Sequence, residues 1–136
     1  MSRPTGDRLR FGPKLLLALR VWRAYVRVRA GLRRAPLPVF VRELGRTKVR
    51  AEAYPPALLS LAVRRSLHLG PLRPRCLTSS LVLYRLLREQ GDHAEVVIGL
   101  PAEPRGHAAH AWVELENRDI GPPPGRGRHA PMARFS

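Results

Sequence analysis

The sequence predicts an α+β fold in which helices come first and a small antiparallel sheet follows. Three observations carry this. From about residue 13 to residue 91, apolar side chains recur at helical spacing between breaks rich in proline and glycine. After Gly91 the period drops to two, in HAEVVIGL (93–100) and in AAHAWVELE (108–116). The chain has 136 residues and 44% hydrophobic content, enough for one modest core, so helices and strands are expected to share a single domain.

Charge and cysteine usage narrow the function classes. The net charge of +15 is concentrated at one end: residues 1–50 hold 14 Lys+Arg against Asp7 and Glu43, a balance of +12, which leaves +3 for residues 51–136. Lysine occurs only as Lys14 and Lys48, an arginine excess that a GC-rich bacterial coding sequence produces as readily as any function. One cysteine excludes an intramolecular disulfide and a Cys-rich zinc site, and it fits a reducing compartment. The apolar run 15–19 is cut by Arg20, Arg23 and Arg27, short of the ~20 residues of a membrane span. The expected location is the cytoplasm.

Taken in order, residues 1–12 read as a loose basic arm, and a helix opens at Pro13 or Lys14 and runs to about residue 30. Its expected packing side carries Leu15, Leu19, Trp22 and Val26, with Arg20, Arg23 and Arg27 on a solvated face. An acidic partner, nucleic acid or anionic lipid is the alternative use of those arginines. Gly31 and residues 36–38 break the chain; 39–44 form a short second helix, 45–54 a connector, and 57–69 a third helix ended by Gly70-Pro71. The fourth, within RCLTSSLVLYRLLREQG (75–91), follows Pro74, begins at Cys76 and stops at Gly91. Leu77, Leu81 and Tyr84 form one stripe of it, and Cys76, Ser80, Leu83 and Leu87 the next.

The second strand sets Ala109, Ala111, Val113 and Leu115 on one face and His110, Trp112 and Glu114 on the other. A tight turn at Glu116-Asn117 leads into a short strand, 118–120; GPPPGRG (121–127) leaves regular structure, and the tail to residue 136 is expected to be irregular. Trp112 reads as core, Glu114 as a surface charge, and Ser79 and Ser80 as first-turn hydroxyls that cap backbone.

A thiol at a helix N-terminus feels the positive end of the helix dipole, which favours thiolate. A lone cysteine is by default a small hydrophobe, so position alone does not make Cys76 a nucleophile. A strand-borne histidine downstream supplies the missing base: imidazole takes the thiol proton, thiolate attacks a carbonyl, and histidinium protonates the leaving amine. His110 is the best placed of five histidines. His107 points to the other strand face, and His68, His93 and His129 lie in or beside turns. No phosphate loop, HExxH motif or metal-ligand cluster is present, so no cofactor or metal is implied.

Together, RCLTSSLVLYRLLREQG, HAEVVIGL and HAAHAWVELENRDIG (107–121) resemble the transglutaminase-like cysteine peptidases of lasso peptide biosynthesis, specifically the B2-type part of the leader-removing protein. The shared pattern is Cys-Leu opening a helix that ends in Leu-Leu-Arg, a Gly-containing turn, a strand, then His-Ala-Trp-Val-Glu. The resemblance covers residues 75–121 closely and 13–69 loosely. It implies a papain/transglutaminase-like core, Cys76 as nucleophile, His110 as base, and cleavage of a ribosomally made precursor peptide between leader and core. It also implies a separate leader-binding protein and a separate cyclase as partners, because residues 1–70 lack the β-rich pattern of a leader-binding element.

The family's acid stands about a dozen residues after the histidine. Here that position is Pro122, and residues 122–124 offer no carboxylate. Asp119 is the nearest candidate. A two-residue turn at Glu116-Asn117 pairs Leu115 with Arg118 and Glu114 with Asp119, which leaves Asp119 four strand positions from His110, roughly 13 Å at ~3.3 Å per residue. A wider turn or a bulge would be needed to use it, and a backbone carbonyl or water is the alternative orienting group. Three other readings stay open: a degenerate domain that only binds a peptide or protein, an amidase or transglutaminase acting on another acyl donor, and nucleic-acid or membrane binding by the basic half. The last ranks lowest, since no readout motif accompanies the charge.

Overall fold

In the computed structural model, which describes residues 11–50, 53–67, 75–101, 110–122, 127 and 129–136, four helices precede four strands. The helices are α1 (Phe11–Arg34), α2 (Leu37–Gly45), α3 (Pro56–Leu67) and α4 (Cys76–Glu89). The strands are β1 (Ala94–Pro101), β2 (His110–Leu115), β3 (Arg118–Gly121) and β4 (His129–Phe135), in one antiparallel sheet of order β3-β2-β1-β4. The α+β reading therefore holds. The expected basic arm up to residue 10, His68, the Gly70-Pro71 break, Pro74, the 102–109 turn with His107, and most of GPPPGRG fall outside the described residues.

The long first helix departs from expectation in two ways. It buries Leu17, Val21, Ala24 and Val28, while Leu15, Leu19 and Val26 are 51%, 51% and 64% exposed. Two apolar stripes compete on this helix. The one bearing alanine and two valines wins because α1 packs on both α3 and α4, where short side chains permit close approach. The helix also continues through Gly31 to Arg34 rather than stopping near residue 30. The missing Cβ at Gly31 makes room for the Phe40 ring of α2, which would collide with any side chain there. Pro38, expected to break the chain, instead sits in the first turn of α2, where proline is tolerated.

Central to the molecule is α4. Leu81, Val82, Leu83, Leu86 and Leu87 are wholly buried, because α1, α2, α3, β1 and β2 all pack against it. Its C-terminus closes with a Schellman motif: the Asp92 N–H donates to the Leu87 carbonyl (3.0 Å), the Gly91 N–H to Arg88 (3.1 Å), and Gly91 takes φ 87°. Four residues, 90–93, then turn the chain directly back into β1.

Pairing of β1 with β2 puts Ala94, Val96 and Val113 in the hydrophobic cluster shared with the helices. By alternation, Val97, His110, Trp112 and Glu114 belong to the opposite sheet face. The β2–β3 hairpin turns through Glu116 (φ 52°) and Asn117 (φ 64°), as a two-residue turn with both central residues left-handed requires. Leu115 pairs with Arg118 and Glu114 with Asp119, after which a bulge shifts Gly121 opposite Val113. The tail is not irregular. Residues 129–135 form β4 on the free edge of β1, with a register shift beside Gly99 and Pro131 on an edge strand, where its missing N–H breaks no inner ladder.

Candidate active site

Cys76 is the first residue of α4 and is partly buried. Arg75 precedes it in extended conformation, and the first intrahelical bond runs from the Ser79 N–H to the Arg75 carbonyl (3.0 Å). The N–H groups of Cys76, Leu77 and Thr78 therefore have no acceptor within the helix and stand at its positive end. Ser80, one turn further and on the same stripe, does not behave as a cap: its Oγ is buried with no hydrogen-bond partner among the described residues.

Topology brings Cys76 and His110 to one end of the domain. From Cys76 to Glu89 the helix climbs about 20 Å at 1.5 Å per residue. The strand after the reversal returns about 17 Å between Ala94 and Gly99, at ~3.3 Å per residue. Gly99 is the ladder partner of His110. The partly buried His110 opens β2.

Around His110 the sheet face is aromatic and charged. The His129 ring of β4 lies 4.9 Å from the His110 ring, centroid to centroid, and the Trp112 ring stacks at 6.2 Å. Gly99 allows this assembly, because a Cβ there would come within 2.6 Å of both the Trp112 ring and the Ala130 carbonyl. Trp112 is wholly buried and its Nε1–H donates to Glu114 Oε2 (2.8 Å). Arg134 of β4 donates to Glu114 Oε1 (2.7 Å) and lies 3.9 Å from Glu95. The hydrogen bond to Glu114, reinforced by its charge, holds the Arg134 pKa above its ordinary value.

Glu114 corrects the expectation of a surface charge: it is 4% exposed and takes part in a buried network with Trp112 and Arg134. Its place on the His110 face was visible in the alternation, but its burial depends on β4. The same strand brings in His129, which stands beside a turn in sequence and beside His110 in space. Asp119 sits opposite Glu114, as the two-residue turn requires, and its Oδ1 accepts the Gly121 N–H (2.9 Å). That bond braces the end of β3. His93 is exposed, with Nδ1 3.3 Å from an Arg88 nitrogen, at the other end of β1.

A family model described as the Transglutaminase-like superfamily matches residues 16–134, which spans every element from α1 to β4. The chain belongs to that superfamily, in which cysteine peptidases are common. No curated protein and no solved structure matches it. No helix among the described residues is long and apolar enough to cross a membrane, and none of their His, Cys, Asp and Glu side chains group by three or more to hold a metal ion.

Proposed function

We propose that this protein is a cysteine peptidase that removes the leader from a ribosomally synthesised precursor peptide of the lasso type. The reading is supported by the placement of Cys76 as the first residue of α4 and of His110 as the first residue of β2, which the element lengths direct toward the same end of the domain. In the proposed reaction His110 accepts the Cys76 proton and the thiolate adds to the carbonyl carbon of the scissile bond. The tetrahedral intermediate collapses to a thioester as histidinium protonates the leaving amine, which is the new N-terminus of the core peptide. Water, deprotonated by His110, then hydrolyses the thioester and frees the thiol with the leader's new carboxylate. A separate leader-binding protein would present the substrate and a separate cyclase would take the product, in the cytoplasm.

Cleavage of a precursor peptide by the purified chain with its leader-binding protein, followed by mass spectrometry, tests the reading. Cys76→Ala should abolish cleavage with the thermal transition intact, and His110→Ala should cost a comparable factor because nucleophile and base act as a unit. Cleavage retained by Cys76→Ala ends the proposal. A second reading is a domain that keeps the fold and only binds a peptide. Alkylation rates of Cys76 against pH separate the two: a midpoint well below ~8.5 belongs to the enzyme, and one at that value to the binding domain.

A further inference from the structure

At the far end of α4, about 20 Å from Cys76 by helix rise, α1 and the extended segment 46–50 enclose an open groove. Its cavity volume is about 800 Å³. The apolar lining comes from Leu19, Trp22 and Val26 of α1 and from Val49 across the groove, and Leu19, Val26 and Val49 are more than half exposed. The groove wall is fixed, since the Arg50 N–H donates to the Glu89 carbonyl (2.6 Å).

The charge of the lining is one-sided. Arg20, Arg23, Arg27, Lys48, Arg50 and Arg85 face the groove with Glu89 as the one carboxylate in its lining. Glu89 is engaged by Arg20 (3.0 Å), Arg85 (3.0 Å) and Arg50 (3.5 Å), so it is outnumbered where it stands. Arg23, Arg27 and Lys48 have no ion-pair partner among the described residues. Apolar side chains of this size, left in water beside unpaired cations, are a cost to the isolated chain that a covering surface removes.

We infer that this groove docks an acidic amphipathic segment of a partner protein, with apolar side chains seated on Leu19, Trp22, Val26 and Val49 and carboxylates on Arg23, Arg27 and Lys48. Charge complementarity calls for an anionic occupant, and the apolar floor excludes one that is charged throughout, which disfavours a phosphate backbone. A helix or strand carrying spaced apolar anchors fits a trough of this kind. The inference stands apart from Cys76 chemistry and survives or fails independently of it.

The test is fluorescence anisotropy of a labelled amphipathic Leu/Glu peptide titrated with the full chain, beside a Leu/Lys peptide, a single-stranded DNA oligonucleotide and phosphatidylglycerol-containing vesicles. The Leu/Glu peptide should bind, and should weaken several-fold when NaCl rises from about 50 to about 300 mM. Leu19→Glu/Val26→Glu should weaken it at least about tenfold, and Arg23→Glu/Arg27→Glu by a similar factor through charge. The second variant changes only side chains on the helix surface, so it keeps the test open if the first fails to fold. Equal binding of the Leu/Glu peptide by wild type and Arg23→Glu/Arg27→Glu overturns the inference. Tighter binding of the oligonucleotide or the vesicles than of the Leu/Glu peptide does so too.

Discussion

Replacing Glu114 by alanine tests the buried network beside His110, because it strands one identifiable group. Trp112 is wholly buried and donates its indole N–H to Glu114 Oε2 at 2.8 Å. An unsatisfied buried donor costs about 1–3 kcal/mol. The void left by the shortened side chain adds roughly 1 kcal/mol. Arg134 contributes little to the loss, since its side chain is 42% exposed and water can replace the carboxylate. The expected total is about 2–4 kcal/mol, which lowers the melting temperature by roughly 10 °C for a domain of this size. Glu114→Gln keeps an acceptor for the indole and fills the space, so it should lose about 1 kcal/mol or less. Differential scanning calorimetry of wild type and both variants at neutral pH measures the contrast. Equal losses in the two variants would refute the reasoning, because the indole bond would then not be what Glu114 supplies.

Two further predictions concern packing and pH. Gly31→Ala raises helix propensity by about 1 kcal/mol but drives a methyl group into the Phe40 ring, an overpacking that costs about 1–3 kcal/mol. The variant should show a net loss in urea unfolding that Phe40→Leu relieves; net stabilisation would disprove the contact. Tyr84 is buried, which pushes its phenol above the ordinary value of 10 although Arg88 pulls it down. A folded-state pKa above the unfolded one means stability that is complete below pH 10 and lost as pH rises through the folded value. Urea midpoints should fall from pH 10 upward in wild type and fall less steeply in Tyr84→Phe; equal slopes would count against the burial effect.

Much of the fold was legible because it rests on local signals. The change of period after Gly91 marked the boundary between helices and sheet. Gly91 itself supplied the left-handed residue that a Schellman cap needs, and Glu116-Asn117 set the hairpin register to the residue. Cys76 and His110 were legible as candidates for the same reason: one opens a helix and the other lies in a strand with clear alternation. The family match over residues 16–134 agrees with the coarse reading and leaves the peptidase assignment to experiment.

What the sequence determined by itself, then, is the order of elements, the hairpin register and the helix-terminal placement of Cys76. These depend on residues a few positions apart, whose geometry is fixed by backbone sterics and hydrogen bonding. Tertiary structure decided which of two apolar stripes on α1 is core, whether residues 129–135 form a strand, and that Glu114 is buried. Each of these turns on a partner distant in the chain: α3 and α4 for Leu17 and Val21, β1 for His129, and Arg134 for Glu114. Burial is a property of the partner surface as much as of the residue, and no local pattern records it.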